Sequence, residues 1–392
     1  MARKPTAGPT AAIVGSGATP YYFRGESAPQ TLIELIDKAV LAALADAGLG
    51  IEDVDGLAFF AFGFDTGMII EQLGLRNVTF AHCVSAFGGG MAGMLDLAEM
   101  AVETGRARTV VCIGATQQIG RRVGQALGNF AASPDNVFHR LAGLQGPGQA
   151  LALQARRHCH EFGTRREAFA EVVMASRAAA ATRETAFRRK PVTLDEYMAA
   201  PMLADPMCKF DFCLETDGAL AFVVTSAERA RDLPHKPVYI AGAAQHGSRD
   251  WGRAFFWLGQ TAEAFVSAGG MDVSRRLYER TGMGADDIDV ACLYDHFSPL
   301  VVMQLEDFGF CARGEGGPFV ESGAIRLGGR IPVNPHGGHL SEAYVVGMTH
   351  IREAVEQLRG VAVNQVSGAR TALVTGGPAP TPMTAAILTN AL

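Results

Sequence analysis

The chain has 392 residues, of which 48% are hydrophobic and 19% are charged. A chain of this length and composition buries a large core, which excludes a small disulfide-stapled scaffold and a disordered tail. Forty acidic against 34 basic residues give a net charge of −6, the wrong sign for binding a phosphate backbone, so nucleic acid is not expected as a partner.

Targeting and membrane signals are weak along the chain. The first apolar run, residues 11–14, is too short for a signal peptide, and apolar stretches such as 57–64 and 220–224 are too short to span a membrane. The seven cysteines are an odd number without a C-x-x-C pair, so we expect neither a disulfide framework nor a zinc ribbon. A cytoplasmic location is therefore expected.

The first half opens with a predicted strand at residues 12–15 and a helix at 32–47. Residues 47–60 then read as the end of that helix, a turn and a buried strand. A glycine-rich turn follows, with an amphipathic helix within 88–105 and an apolar strand at 109–114. This order predicts alternating strands and helices, as in an α/β protein.

The pattern changes between residues 115 and 205, which are predicted to be helical and polar. Capping-box sequences begin at Thr164 and Thr193, where a threonine precedes a glutamate by three positions. No segment of similar length and pattern occurs in the second half. We interpret these residues as an inserted helical subdomain, which either lies over a pocket or supports the periphery.

The second half repeats the first. Residues 281–294 echo residues 47–60 at one fixed offset and without gaps. A strand at 239–242 and a helix at 261–281 precede the echo, and a helix within 337–360 and a strand at 371–376 follow it. The sequence thus predicts a duplicated β/α unit, with domains at 1–233 and 234–392 that meet at the prolines of 234–237.

Three motifs have a functional and a structural interpretation. Residues 88–93 match G-x-G-x-x-G, but no acidic residue follows at the required distance, so an oxyanion-binding or closely packed helix N-terminus is favoured over a dinucleotide site. His158 and His160 face apart on a helix, which argues against metal binding. The basic run at 188–190 is expected to be a solvated face, with phosphate contact as the alternative.

Two segments of the second half concentrate reactive side chains beside glycines: residues 293–299, at a predicted strand end, and residues 334–344. Such loops are where α/β proteins build their sites, so we predict a functional site here. Histidines that only stabilise turns are the alternative. The candidate residues are Tyr294, Asp295, His296, His336, His339 and Tyr344.

At these residues the chain resembles the thiolase superfamily, over nearly its whole length. The position of that family's nucleophilic cysteine falls on Gly88, and its second cysteine motif, C-x-G, falls on Thr375 to Gly377. The N-E-A-F or H-D-C-F motif begins at Tyr294, and the G-H-P motif centres on Tyr344. Both cysteines are therefore replaced, and two tyrosines occupy the positions of catalytic polar groups.

The resemblance implies an α/β thiolase fold, with duplicated βαβαβ core domains in an α/β/α/β/α arrangement and an inserted helical loop domain. Within the superfamily the chain resembles the actinobacterial lipid-transfer-protein aldolases of steroid side-chain degradation. This implies retro-aldol cleavage of a 17-hydroxy steroid that carries a short acyl-CoA, giving a 17-ketosteroid and propionyl-CoA. Tyr294 and Tyr344 would be the acid/base pair. The implied supporting or substrate-binding residues are Asp295, His296, His336, His339, Gly88, Thr375 and Gly377.

The resemblance also implies that the chain needs no cofactor or metal, with CoA present only as part of the substrate. A homodimer is implied, with a small OB-fold protein as a possible partner that completes the acyl-CoA site. Two alternative functions stay open. One is a non-catalytic acyl-CoA or sterol carrier, and the other is an acyltransferase that uses Cys83 as its nucleophile.

Overall fold

The computed structural model describes residues 8–60, 63–84, 90–120, 122, 137, 141–144, 146–246, 262–377 and 383–391. The strands are β1 (Ala11–Ala18), β2 (Tyr22–Phe23), β3 (Gly56–Phe60), β4 (Phe80–Cys83), β5 (Thr109–Thr116), β6 (Met202–Ala204), β7 (Met207–Cys208), β8 (Thr216–Ser226), β9 (Val238–His246), β10 (Val290–Cys292), β11 (Thr371–Gly376) and β12 (Met383–Thr389).

The helices of the first half are α1 (Leu32–Ala47), α2 (Thr66–Leu73), α3 (Met91–Glu103), α4 (Pro147–Phe162), α5 (Arg166–Ala180), α6 (Leu194–Met198) and α7 (Ala227–Ala230). Those of the second half are α8 (Ala262–Phe265), α9 (Met271–Thr281), α10 (Ser298–Asp307), α11 (Gly316–Glu321), α12 (Gly338–Ser341) and α13 (Met348–Arg359). No helix in this described part of the chain is both long and apolar enough to cross a bilayer.

Nine strands follow one another in the order β10-β11-β12-β9-β1-β8-β5-β3-β4, and β2 pairs with β8. Strands β3, β4 and β5 run parallel, as do β10 and β11, while β8, β9 and β12 make antiparallel pairs. The two halves of the sheet meet at β1 and β9, which pair at Ala12 with Tyr239 and at Ile13 with Val238. This short seam joins two half-sheets.

Helices cover and separate the half-sheets. One buried cluster lies between α1 and the outer face of the first half-sheet. A second cluster lies between the two half-sheets and contains α3 and α13, and a third joins the outer face of the second half-sheet to α5, α9 and α10. The layered α/β thiolase architecture predicted above is thereby confirmed.

The sequence echo corresponds to a structural repeat. Helices α1 and α9 both end at a glycine in the left-handed conformation, Gly48 at φ 67° and Gly282 at φ 69°. Each is followed by a 3-10 turn and then by β3 or β10, as the sequence predicts. The division of the chain into domains at residue 233 stays a prediction.

Two predicted helices are interrupted. The helix expected over residues 261–281 consists of α8 and α9, because Gly269 turns the chain at φ 87° and Asp307 accepts hydrogen bonds from the Ser267 hydroxyl and the Gly270 N–H. The helix expected within 337–360 consists of α12 and α13, because Val346 and Gly347 have φ values of 44° and 92°. A right-handed helix cannot pass through such residues.

One of the two predicted capping boxes is wrong. Thr193 caps α6 with the expected reciprocal bonds to Glu196. Helix α5 instead begins after Arg165, without a side-chain cap, because the Thr164 hydroxyl bonds to His158 Nδ1 at 2.9 Å. The Thr164 hydroxyl, which the local pattern assigned to the start of α5, therefore bonds to a buried histidine of α4.

The inserted region contacts the second half. Helix α5 packs against α10, α11 and α12. The Ser176 hydroxyl on α5 donates to the carbonyl of Gly337 at 2.6 Å and lies 2.7 Å from the Ser341 hydroxyl. A Cβ on Gly337 would lie 2.8 Å from that of Ala180, so this close contact requires glycine. The insertion thereby fixes the loop that carries part of the predicted site.

Candidate active site

Tyr294 lies just after β10, and its backbone is held on both sides. Its N–H donates to the Thr375 hydroxyl at 2.9 Å, and its carbonyl accepts from Gln304 Nε2 at 2.9 Å. The Thr375 hydroxyl in turn donates to Gln304 Oε1 at 2.6 Å. Thr375, predicted to support the site, therefore positions the Tyr294 backbone.

Tyr344 meets Tyr294 from the loop between α12 and α13. The two hydroxyl oxygens are 3.0 Å apart, and the rings are perpendicular at a centroid distance of 6.3 Å. Thr216 at the start of β8 fixes the Tyr344 backbone, because its hydroxyl donates to the Tyr344 carbonyl at 2.8 Å and accepts from its N–H at 2.9 Å. The structure thus brings together the two tyrosines that the sequence singled out.

A glycine allows the chain to pass close to the Tyr294 ring. A Cβ on Gly347 would lie 2.9 Å from Tyr294 Cε2 and 3.3 Å from Met91 Cγ, at the start of α3. The preceding Val346 has φ 44°, which is strained for a β-branched residue. The start of α3, from the first half, therefore lies close to Gly347 beside the Tyr294 ring.

Asp295 ties the two predicted segments together. Its carboxylate accepts from the N–H groups of His339 at 2.8 Å and Leu340 at 3.4 Å, and from His350 Nε2 at 3.1 Å. A Cβ on Gly338 would lie 2.1 Å from an Asp295 oxygen. The predicted support role of Asp295 takes the form of a buried anchor for the loop.

The predicted histidines divide into two groups. The His339 ring lies 4.5 Å from the Tyr294 ring and 4.9 Å from the Tyr344 ring, and the His296 ring lies 5.0 Å from that of Tyr294. His336 instead packs against His350 at 4.9 Å, and its Nε2 is 4.0 Å from a Glu342 oxygen. His336 thus lies behind the tyrosine pair.

Of the two glycines predicted to belong to the site, the structure describes Gly377 but not Gly88. Gly377 follows β11 in the left-handed conformation, with φ 57°. Gly88 lies outside the described residues, as does most of the glycine-rich turn to which it belongs. Helix α3, which that turn precedes, packs closely on the second half-sheet, and a Cβ on Gly93 would lie 3.0 Å from Thr384 Cγ2.

Burial controls the protonation of the site. Burial and then the Tyr344 phenol raise the pKa of Tyr294 well above its ordinary value, and burial followed by the Cys213 thiol raises the pKa of Tyr344. Burial lowers the pKa of His296 to about 3 and the pKa values of His336 and His339 well below their ordinary range. At neutral pH both phenols are therefore protonated, and these three imidazoles are neutral.

Asp295, His339 and His350 could suggest a metal site, because one ligand atom from each lies within 4.8 Å of the others. The hydrogen bonds argue otherwise. His350 Nε2 is 2.7 Å from the carbonyl oxygen of Leu293, so this nitrogen carries a proton and donates it. The cluster is accordingly a hydrogen-bonded support for Tyr294.

A buried charge network lies behind the loop that carries Tyr344. Arg183 donates to Glu342, to Glu353 at 3.0 Å and to Glu356 at 3.1 Å. Arg183 is 3% exposed, while Glu342 and Glu353 are fully buried. Buried carboxylates require such a partner, so this arginine from the insertion holds Glu342 two residues before Tyr344.

Sequence analysis missed several of these residues. Gln304 gave the clearest signal, because it is a lone amide in the apolar run of α10 and apolar helices bury such groups only with partners. His350 and Arg183 gave none, since the partners described above are 55 to 173 positions away in the chain.

The remaining sequence motifs lie apart from the tyrosine pair. His158 is buried 3.2 Å from both Glu306 oxygens, which gives it a structural role. In the basic run, Arg188 stacks over Phe23 at 5.9 Å and the exposed Lys190 lies 3.6 Å from Glu196. The run is thus a surface feature with local partners.

The cysteines are all unpaired thiols, and Cys83 is exposed on β4 at the edge of the sheet. Desolvation and then the charge of Asp65 raise its pKa. A raised pKa lowers the fraction of thiolate, which is the nucleophilic form.

Comparison with known proteins identifies the family of this chain. A family described as thiolase C-terminal domain-like matches residues 259–390. A steroid side-chain-cleaving aldolase of Thermomonospora curvata is 40% identical over 94% of this chain and 95% of its own length. The 17-hydroxy-3-oxo-4-pregnene-20-carboxyl-CoA lyase of Mycobacterium tuberculosis is 40% identical over 94% of this chain and 96% of its own length.

A solved structure of an Ltp2-ChsH2(DUF35) aldolase is also similar. It superposes with a TM-score of 0.89 at 38% sequence identity, over 97% of this chain and 98% of the matched chain. Identity at this level over nearly the full length, together with the layered fold, shows that the chain belongs to the thiolase superfamily, in the family of the steroid side-chain-cleaving aldolases.

Proposed function

We propose that this protein cleaves a β-hydroxyacyl-CoA by a retro-aldol reaction. The substrate is a 17-hydroxy steroid with a short acyl-CoA side chain, and the products are a 17-ketosteroid and propionyl-CoA. The names of the two 40% identical relatives support this substrate class. The observation that carries the mechanism is the pair of tyrosine hydroxyls, 3.0 Å apart in the candidate site.

The reaction needs two proton transfers and no redox step. The tertiary hydroxyl loses its proton as the bond between the hydroxyl-bearing carbon and the α-carbon of the thioester breaks. The electron pair of that bond forms a thioester enolate, whose α-carbon then takes up a proton. General acid and base catalysis of such steps contributes about 10²- to 10⁴-fold each. Tyr294 and Tyr344 supply the two phenols.

This mechanism forms no acyl-enzyme. At the position of the second thiolase cysteine, Thr375 is buried and its hydroxyl is hydrogen-bonded to Gln304, so it is not a nucleophile. Gly88 has no side chain to acylate. The acyltransferase alternative depends on Cys83, whose raised pKa disfavours the reactive thiolate. The carrier alternative does not account for two phenols hydrogen-bonded to one another.

The test is incubation of the protein with a 17-hydroxy steroid acyl-CoA, with release of ketosteroid and propionyl-CoA followed by liquid chromatography. We expect both products in equal amounts. Unchanged substrate would instead support a carrier. A thioester-linked adduct on any cysteine during turnover, detected by mass spectrometry of the intact chain, would contradict the non-covalent mechanism.

The assay is run with and without a partner protein. The similar solved structure is named for two components, and we propose that a small OB-fold protein completes the acyl-CoA site here too. We expect turnover to rise when such a protein is added. Absence of activity counts against the proposed function only when the partner is present.

We also propose a homodimer. Among the described strands β4 pairs only with β3, and Ala81, His82 and Cys83 are exposed at that edge of the sheet. An edge strand with free backbone groups is a template for pairing with a second copy. Light scattering should give about twice the mass of one 41.4 kDa chain, and a monomer would contradict the proposal.

A further inference from the structure

Contacts from the inserted region hold the Tyr344 loop, which is residues 342–347 between α12 and α13. Helix α12 has only four residues, too few for a helix to be stable by itself, so the loop that follows it depends on outside contacts. The backbone N–H groups of Phe187 and Arg188 donate to the carbonyls of Glu342 at 3.2 Å and Ser341 at 2.9 Å. The insertion therefore follows the chain up to the start of this loop.

The side chain of Glu342 adds a charged anchor to these backbone contacts. Three nitrogens of Arg183 donate to three carboxylates: Nε to Glu342, Nη1 to Glu353 at 3.0 Å and Nη2 to Glu356 at 3.1 Å. Because the guanidinium is a planar and rigid fork, the directions of its three partners are fixed relative to one another. Arg183 thus ties the Tyr344 loop to the insertion and to α13 at once.

The loop needs a second anchor besides Thr216. The Thr216 hydroxyl holds the N–H and the carbonyl of Tyr344, but a chain held at one residue can still pivot there. Val346 lies at φ 44°, a conformation that a β-branched residue keeps only when the surrounding contacts fix it. An anchor at Glu342, two residues before Tyr344, removes the pivot and sets the direction in which the phenol points.

Stability alone does not explain this charge cluster. Arg183 is 3% exposed, and Glu342 and Glu353 are fully buried. Burial of such charges costs desolvation, and apolar side chains of similar size often stabilise a core equally well or better. What the charged hydrogen bonds add over apolar contacts is a fixed geometry. The tyrosine pair requires that geometry, since its two hydroxyl oxygens lie 3.0 Å apart.

We propose that Arg183 acts through Glu342 as a positioning residue for the Tyr344 hydroxyl. The pair holds this hydroxyl in hydrogen-bonding contact with that of Tyr294, so that both phenols face the same reacting atoms. This inference rests on the proposed function and deepens it, because it gives the inserted helical region a part in the rate of the reaction. The insertion acts from behind the loop and contributes geometry, while the tyrosines carry the protons.

The test is Glu342→Met in the intact protein with its partner present. Methionine has a similar volume, and Arg183 keeps two carboxylate partners, so no buried charge is left alone. The Thr185 hydroxyl, which donates to Glu342 at 2.7 Å, belongs to an exposed residue and can bond to water instead. We expect kcat to fall roughly tenfold with KM changed by less than about threefold, because a misplaced proton-transfer group slows the reaction without loosening substrate binding.

Glu353→Met is the matched control. Glu353 is equally buried and accepts from the same guanidinium, but it belongs to α13 and not to the Tyr344 loop. Both variants should lower the midpoint of thermal unfolding by comparable amounts, whereas kcat of Glu353→Met should stay within about twofold of the unmodified protein. Equal losses of kcat in the two folded variants would show that the cluster acts through stability alone, and the proposal would be wrong.

A double-mutant cycle isolates the link to the phenol. When Tyr344→Phe is already present, Glu342→Met should lower kcat by less than about threefold further, because the group that it positions is gone. A further loss as large as in the unmodified protein would contradict the proposal.

A crystal structure of the variant gives a measurement that does not depend on activity. The distance between the Tyr294 and Tyr344 hydroxyl oxygens should exceed the hydrogen-bond range, which ends at about 3.2 Å. An unchanged distance of 3.0 Å would overturn the proposal. Glu342→Gln, which keeps the shape but loses the charge, replaces Glu342→Met if the latter does not fold. Failure of the proposed function is a separate result, in which the unmodified protein does not cleave the substrate.

Discussion

The two copies of the repeated unit are built with the same devices. Asp55 precedes β3, and its carboxylate accepts from the N–H groups of Arg108 and Thr109 at the start of β5. Asp289 precedes β10 and accepts in the same way from Arg370 and Thr371 at the start of β11. In each copy an aspartate therefore aligns two neighbouring parallel strands.

The copies differ where the echo ends. Phe60 ends the first copy and Tyr294 ends the second, so equivalent positions differ by one hydroxyl group. Phe60 belongs to the core between the half-sheets, whereas the Tyr294 hydroxyl meets that of Tyr344. The comparison shows that both halves share the same arrangement of helix, turn and strand. The proposed chemistry depends on polar side-chain groups that are added to this arrangement in the second half.

The substitution with the largest expected effect is Tyr294→Phe. It gives the second copy the same last residue, phenylalanine, as the first. We expect kcat to fall about 10²- to 10⁴-fold because one proton-transfer group is lost. Thermal unfolding should be little changed. The control is Tyr278→Phe, which removes a hydroxyl that donates to the Phe308 carbonyl and should leave kcat unaffected. A folded Tyr294→Phe variant with normal turnover would disprove the assigned role.

The next substitution, Gly347→Ala, tests the close passage of the chain beside Tyr294. The new Cβ would lie 2.9 Å from the Tyr294 ring, so the position of that ring relative to Tyr344 must change, and we expect kcat to fall roughly tenfold or more. Gly360→Ala is the matched control, since Gly360 also has positive φ, at 79°, but nothing lies within 4 Å of its Cβ position.

Gly360→Ala should lose about 1 kcal/mol of stability because alanine is strained at positive φ, and Gly347→Ala should lose more because its Cβ also meets the Tyr294 ring. Only Gly347→Ala should also lose turnover. Chemical denaturation and steady-state kinetics on the two variants measure these quantities. Equal kcat values in both would show that the position of the Tyr294 ring is not limiting.

A pair of matched substitutions tests whether the two copies are stabilised equally by the aspartates that align their parallel strands. Asp55→Asn and Asp289→Asn each weaken charge-assisted hydrogen bonds to two backbone N–H groups, and each should cost about 1 to 3 kcal/mol in the free energy of unfolding. The two costs should agree within about a factor of two if the copies are energetically equivalent. A large loss of unfolding free energy in one variant alone would show that the two copies are not energetically equivalent.

The smallest effect is expected at Cys83, on the edge strand of the first half. Cys83→Ala should leave kcat within about twofold, because the proposed mechanism uses no thiol. Loss of turnover in a folded Cys83→Ala variant would restore the acyltransferase alternative.

The sequence predicted the elements that depend on local or repeated signals. The glycine ends of α1 and α9, the strands that follow them and the position of residues 293–299 just after β10 all agree with the structure. The resemblance to thiolases placed Tyr294 and Tyr344 at equivalent motif positions, and the structure shows their hydroxyls in contact. Motif spacing was sufficient here because it is fixed by the common fold.

Features created by tertiary contacts were not predictable. The Thr164 hydroxyl follows a capping pattern but bonds to a buried histidine instead. The break at Val346, a β-branched residue at φ 44°, is one that no local propensity describes, whereas the Gly269-Gly270 pair is a local turn signal within the predicted helix. Nothing in the sequence distinguishes Arg183 from the other arginines, and only the fold shows that it balances buried carboxylates behind the site.

The placement of the central helices has a consequence for folding. Helix α3 belongs to the first half but packs against β9, β11 and β12 of the second, and α13 belongs to the second half but contacts β1 and β8 of the first. Each half thus supplies the other with the apolar cover of its inner face. Either half made alone would expose that face to water and aggregate, so the duplicated chain should unfold as one cooperative unit despite its internal symmetry.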